Sequence, residues 1–79
     1  MKLQEVIDAF SELEEDSSVP KNIKQKIVNI REELESEKDL SLKVNKSLNE
    51  LDDISDDVNI PTYIRTQIWS LSSMLEQLQ

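Results

Sequence analysis

The residues best suited to chemistry in this 79-residue chain are carboxylates, and they are gathered in two clusters. The first cluster ends at Asp16, and the second contains Asp52, Asp53, Asp56 and Asp57. Spacings of four residues place pairs of the second cluster on one helical face, where paired carboxylates can hold a divalent cation or exchange protons with a substrate. A solvated acidic face is favoured instead, because the chain lacks the glycine of an EF-hand loop and the histidine of a helical di-iron site.

Other classes of active site are excluded by residue types that the chain lacks. Without histidine there is no serine–histidine pair, and without cysteine there is no thiolate nucleophile, thiolate metal site or disulfide. Without glycine there is no phosphate-binding glycine loop. We therefore expect a protein that is not an enzyme and that uses no cofactor and no metal ion.

The charge of the chain restricts its partners. A net charge of -8 disfavours nucleic acid and anionic membranes, since both would repel it. No apolar run approaches the length needed to span a bilayer, and the acidic N-terminal segment is unlike a signal peptide. We expect a cytoplasmic protein that binds neither nucleic acid nor membrane, with a protein or a second copy of itself as partner.

Trp69 is the most informative single residue for binding. It lies about 140° around its predicted helix from the apolar stripe, so it either packs against Val28, its counterpart in the first half, or is exposed as a binding anchor. The segment 61–79 around it carries only two charged side chains. Such a segment suits either a central, buried helix or an interface, where charges are depleted. Tyr63, Arg65 and Trp69 form the candidate protein-binding surface.

Four amphipathic helices are predicted to position these residues, over about residues 2–16, 20–37, 40–56 and 61–78. Apolar residues recur in each at spacings of three and four, which place them in one stripe. Pro20 and Pro61 each suit the first turn of a new helix. Asp39 and Ser41 are alternative N-caps for the third helix. Short connections make consecutive helices antiparallel neighbours.

The two halves of the chain share one pattern. Residues 15–24 return as residues 56–65, with an acidic helix end, an apolar residue, a proline and a later basic residue. A period near forty residues is typical of stacked helical hairpins. Internal duplication is favoured over two independent hairpins with similar turns. The predicted fold is all-α, with hairpins 1–38 and 39–79 forming one four-helix bundle-like domain over residues 1–79.

Both acidic clusters fall at the C-terminal end of a predicted helix, where negative charge opposes the helix dipole. Lys21, Lys24 and Lys26 follow the first cluster, and we interpret them as local charge compensation rather than a nucleic-acid site. Only Arg65 follows the second cluster at a similar distance. We therefore expect the first turn to be the better compensated of the two.

The stretch Ile60–Trp69, together with the earlier Val19–Lys24, resembles a known family. It is similar to the small archaeal proteins of uncharacterised protein family zero-one-four-seven, most specifically in residues 65–69. The resemblance covers most of the chain. It implies an archaeal, cytoplasmic, all-helical protein, and it implies no activity, substrate or binding site, since the family has none assigned.

Three functions are compatible with these patterns. The favoured one is a non-enzymatic protein–protein interaction or self-association module that uses the charge-poor fourth helix. The alternative is an acidic adaptor that binds basic protein partners through the carboxylates of the first and third helices. A carboxylate- or metal-dependent enzyme is the least favoured.

Overall fold

The computed structural model describes residues 2–78 and confirms the all-α prediction. It contains α1 (Leu3–Glu14), α2 (Lys21–Glu35), α3 (Leu40–Ser55) and α4 (Thr62–Glu76). Every helix end lies within two residues of its predicted position. No helix among residues 2–78 is both long enough and apolar enough to cross a membrane.

The four helices are arranged in a ring around one core. Each helix packs against the next along the chain, and α1 packs against α4 to close the ring. Within residues 2–78, the diagonal pairs α1–α3 and α2–α4 make no contact. The result is a compact four-helix bundle-like fold measuring 32 × 21 × 19 Å, in which both the α1–α2 and α3–α4 turns lie at the same end.

The predicted apolar stripes form the core. Side chains from all four helices are buried there: Val6, Ile7, Phe10, Leu13, Ile23, Ile27, Ile30, Leu34, Val44, Leu51, Ile54, Ile64, Ile68, Leu71 and Leu75. Leu3, Leu48 and Leu78 belong to the same stripes and are partly buried against this cluster. Burial of such a side chain contributes about 1.5–3 kcal/mol. The core therefore supplies the main stabilisation of a chain that has no disulfide.

Two polar residues of α3 are also buried. The Ser47 hydroxyl donates to the Lys43 carbonyl over 2.7 Å, and the Lys43 ammonium donates to the Ser36 carbonyl over 2.7 Å. Ser36 is the C-cap of α2, so Lys43 places a cation where the helix dipole favours one. Asp39 is the N-cap of α3, which decides between the two predicted caps, although its side chain makes no capping hydrogen bond.

The α1–α2 and α3–α4 turns have matching backbone hydrogen bonds. Asp16 Oδ1 accepts from the Ser18 amide at 2.9 Å, and Asp57 Oδ1 accepts from the Asn59 amide at 2.8 Å. Each is a turn in which an aspartate side chain binds the backbone two residues on. The next residue is buried in both turns, and a proline then precedes the following helix. The repeated pattern in the sequence thus builds the same local structure twice.

Candidate functional site

The outer face of α4 carries one exposed charged side chain, Glu76 in the last turn of the helix. The inner face of this helix is held in the core by its apolar stripe, so the residues opposite it must face solvent. We call the uncharged exposed residues that precede Glu76 the α4 surface; they are Thr62, Tyr63, Thr66, Trp69, Ser70 and Ser73. An exposed surface of this length without charge is unusual for a chain with a net charge of -8.

Trp69 is 57% exposed, in the middle of the α4 surface. The alternative that it packs against Val28 is wrong, because α2 and α4 lie on a diagonal of the ring and do not contact each other within residues 2–78. The related interpretation of α4 as a central helix is also wrong, since all four helices share one core and each keeps an outer face. Trp69 is therefore a large apolar side chain available for contact.

Tyr63 lies at the edge of the α4 surface next to α1. It is 53% exposed, and its hydroxyl donates to Asp16 Oδ2 over 3.0 Å. The hydrogen bonds from the Ser18 side chain and backbone, followed by that from Tyr63, lower the pKa of Asp16 below its usual value. The bond to Asp16 raises the pKa of the Tyr63 phenol. Tyr63 therefore links the start of α4 to the end of α1.

Arg65 is half-buried and is directed towards α3. Its Nε donates to the Ser55 carbonyl and a terminal nitrogen donates to the Asp57 carbonyl, both over 3.0 Å. Ser55 is the last residue of α3, so the guanidinium satisfies carbonyls at that helix end. Of the three residues predicted to form the binding surface, the structure places Tyr63 and Trp69 on the exposed face, and Arg65 joins α4 to α3.

A groove of about 320 Å³ lies between α1 and α4, on the opposite side of α4 from Arg65. Its lining comes from both helices: Ala9, Glu12, Leu13, Asp16, Tyr63, Gln67, Ser70, Leu71 and Met74. The sequence analysis did not identify this groove. Its one sequence signal is Ala9, the only alanine in the chain, which leaves space beside the larger side chains around it.

The acidic clusters have structural contacts. Glu14 lies 2.5 Å from Arg31 Nε, which ties α1 to α2, and Arg31 also pairs with Glu35. The hydrogen bond that Arg31 donates to Glu14 is the main cause that raises the pKa of Arg31. Asp16 and Asp57 hold the two turns. Among residues 2–78, no group of three or more acidic side chains is arranged to hold a metal ion.

Archaeal proteins are similar to this chain in sequence, and a solved structure is similar to it in fold. Residues 1–78 match the family described as "Uncharacterised protein family (UPF0147)". A UPF0147 protein of Archaeoglobus fulgidus is 36% identical over 96% of this chain and 87% of its own length. One from Methanosarcina mazei is 38% identical over 96% of this chain and 83% of its own. The crystal structure of the unknown-function protein MMP1188 superposes with a TM-score of 0.89 at 36% identity, over 98% of this chain and 89% of that one.

Proposed function

Because the chain belongs to the uncharacterised family UPF0147, as its sequence predicted, we propose its function from its own surface: a non-enzymatic interaction module whose α4 surface contacts a second copy of the chain. The observation that carries this proposal is the exposure of Trp69, at 57%, on a helix whose one exposed charged side chain is Glu76 in the last turn. Tryptophan is enriched among the residues that dominate binding energy, and charged residues are depleted at interface centres.

The charge distribution favours a second copy as the partner. Two chains of net charge -8 repel each other, so any contact between them avoids bringing carboxylates together. α4 has two charged side chains: Arg65, which is directed towards α3, and the exposed Glu76 in its last turn. The α4 surface, which precedes Glu76, is thus a face on which two copies meet with few opposing charges. A strongly basic partner would instead prefer the acidic faces.

The residues of the candidate surface have different roles in this proposal. Trp69 is the anchor that loses its solvent contact in the dimer. Tyr63 extends the contact towards α1, and its bond to Asp16 fixes its hydroxyl before binding, which lowers the entropy lost on association. Arg65 positions α4 against α3 rather than touching the partner.

The proposal is tested by sedimentation velocity of the wild-type chain over a range of concentrations and salt. We expect a dimer whose dissociation constant falls as salt rises from about 50 to about 500 mM, because salt screens the repulsion between acidic chains. Trp69→Ala is expected to weaken the dimer by about thirtyfold, the effect of losing about 2 kcal/mol at a central anchor. Leu42→Ala is the matched control, since Leu42 is an apolar side chain on α3 that is 65% exposed.

Two results would contradict the proposal. One is a wild-type chain that stays monomeric at every concentration and salt. The other is a dimer that Leu42→Ala weakens as much as Trp69→Ala does.

Quenching of tryptophan fluorescence by iodide gives an independent measure of dimer formation, because Trp69 is the only tryptophan. Trp69 is expected to be quenched in dilute solution and protected as the dimer forms.

A further inference from the structure

The α1–α4 groove follows both helices along their length. It runs from residue 63 to residue 74 of α4, about 16 Å along the helix axis, and beside residues 9–16 of α1. Its volume of about 320 Å³ lies at the small end of the range for binding pockets. No turn joins α1 directly to α4, although the two helices are adjacent.

The groove has both polar and apolar lining, and its apolar side chains form the floor. Leu13 and Leu71 reach it from the core, and Met74 is half-buried beside them. Ala9 has the smallest side chain of the lining and leaves the floor open. Such a floor accepts aliphatic side chains, and methionine adapts readily to differently shaped ones.

The rim of the groove is acidic and has no basic side chain. Glu12 and Asp16 line it, whereas no lysine or arginine does. Within residues 2–78, the exposed Glu12 carboxylate forms no ion pair. Asp16 holds the Tyr63 hydroxyl at 3.0 Å, which places an aromatic ring beside the carboxylates. Asp16 is ionised at neutral pH, and hydrogen bonds from Ser18 and Tyr63 lower its pKa further below the ordinary value. Carboxylates and an aromatic ring are the groups that bind ammonium and guanidinium ions.

We infer that the α1–α4 groove binds a basic amphipathic segment of another protein, with aliphatic side chains on Leu13, Leu71 and Met74 and a lysine or arginine at Glu12 and Asp16. The charge of the rim selects the cation, and the length of the groove selects a polypeptide over a small cation. This inference does not depend on the proposed dimer, and the two sites share Tyr63 and Ser70 at the edge of α4. Trp69 lies roughly 140–160° around α4 from Gln67 and Met74 of the groove.

A second groove on the same molecule provides a comparison. It lies between α2 and α3, has a volume of about 230 Å³ and is lined by Lys26, Asn29, Glu50, Asp53 and Ile54. Lys26 lines it together with Glu50 and Asp53 and so offsets part of their charge, whereas no basic side chain lines the α1–α4 groove. It is therefore not expected to bind the same segment, and Glu50 offers a carboxylate matched to Glu12.

The experiment uses the intact, isotope-labelled chain and a synthetic ten-residue peptide of leucine and arginine with both ends blocked. A second peptide has glutamine in place of every arginine, and spermine serves as a small cation. Backbone amide shifts locate the binding site, and calorimetric titration measures the affinity. The variants are Glu12→Gln, Ala9→Leu and the control Glu50→Gln.

We expect the arginine peptide to shift amides in residues 9–16 and 63–74, and the glutamine peptide to bind at least about tenfold more weakly. Glu12→Gln should weaken binding about two- to fivefold, as for an exposed ion pair, whereas Glu50→Gln should leave it unchanged. Ala9→Leu should weaken it at least about tenfold, since the new side chain fills the floor.

Three results would overturn the inference: equal binding of both peptides, equal weakening by Glu12→Gln and Glu50→Gln, or spermine binding in the groove as tightly as the arginine peptide. If Ala9→Leu does not fold, the two glutamine variants decide the question, because both change exposed or half-exposed side chains. Association of the wild-type chain is measured in the same samples without peptide. This measurement distinguishes a chain that does not dimerise from a groove that does not bind the peptide.

Discussion

The α1–α2 turn and the α3–α4 turn have the same backbone structure and different side-chain support. In both, an aspartate binds the amide two residues on, and the carbonyl of the proline accepts from the amide four residues later, at 2.9 Å from Lys24 and 3.0 Å from Arg65. Past that amide the two differ. Arg65 turns back and donates to two carbonyls at the end of α3, whereas Lys24 is exposed and makes no side-chain hydrogen bond within residues 2–78.

This difference reverses an expectation from the sequence. Three lysines near the first turn predicted better compensation of the acidic helix end there than the single Arg65 provides at the second. That prediction is wrong, because geometry matters more than the number of charges. A planar guanidinium donates several hydrogen bonds in a fixed fork, and a half-buried one is screened less than an exposed ammonium.

The first turn has a different support, which comes from α4. Tyr63 donates to the side chain of Asp16 and joins the first turn to the start of the last helix. The equivalent residues at the second turn are Asn22 and Asp57, and no hydrogen bond joins their side chains within residues 2–78. The shorter asparagine lacks the reach of a tyrosine. The second turn is thus held by Arg65 of its own hairpin, and the first turn is held by Tyr63 of the other hairpin.

The largest expected effects on stability come from the buried apolar residues of the two turns. Ile60 is 5% exposed and Val19 is 7% exposed. Ile60→Ala should lower the free energy of unfolding by about 3 kcal/mol and Val19→Ala by about 2 kcal/mol, since the larger side chain leaves the larger cavity. Urea denaturation measures both. Ile60→Val, which makes the second turn resemble the first, should cost about 1 kcal/mol. A larger loss for Val19→Ala would show that the turns are not packed alike.

The next effect separates Arg65 from Lys24. Arg65→Ala should lower the free energy of unfolding by about 2 kcal/mol, because it leaves the half-buried carbonyls of Ser55 and Asp57 without their donor. Lys24→Ala should change it by less than about 0.5 kcal/mol. Urea denaturation at neutral pH compares the two alanine variants. Arg65→Lys is the control, because it keeps the positive charge and loses the planar guanidinium with its several donors. Equal losses for the two alanine variants would remove the distinction drawn between the turns.

The smallest expected effect is the pH dependence of the first turn. Hydrogen bonds from Ser18 and Tyr63 hold the pKa of Asp16 below its unfolded value of 3.8. A depressed pKa stabilises the folded state above the unfolded pKa, and this contribution is lost as pH falls through the folded pKa. The difference in stability between the wild type and Asp16→Asn should therefore shrink below about pH 3.8.

Thermal unfolding from pH 7 to pH 2 measures this difference. Tyr63→Phe is the control, because it removes one of the hydrogen bonds to Asp16 and keeps those from Ser18. Its effect on the same pH dependence should be smaller than that of Asp16→Asn. A difference between the wild type and Asp16→Asn that is constant down to pH 2 would show that the charge of Asp16 does not support the turn.

Much of the fold was predictable from local patterns. The period of the apolar residues identified all four helices, because the side chains of residues three and four apart share a helical face wherever the helix lies. Asp16 and Asp57 followed by proline identified both turns, since an aspartate reaches the backbone two residues on without help from the rest of the chain. The family was predictable for the same reason, because the resemblance depends on contiguous residues.

The candidate site was predictable only in part. The angle of Trp69 from the apolar stripe showed that it leaves the core, yet its exposure depends on which helix lies beside α4. Arg65 is four residues from Trp69, and sequence spacing placed the two together. Its actual partners, the carbonyls of Ser55 and Asp57, are backbone groups that carry no signal in the sequence.

By itself, the sequence determined four amphipathic helices, two matching turns and a fourth helix whose outer face carries little charge, because each depends on interactions within a few residues. The tertiary structure decided that α1 packs beside α4 and that α2 and α4 lie on a diagonal. That ring order exposes Trp69, opens the groove beside Ala9 and brings Tyr63 to Asp16. Which helices far apart in the sequence become neighbours depends on the packing of the whole core, so it cannot be predicted from any single segment of the chain.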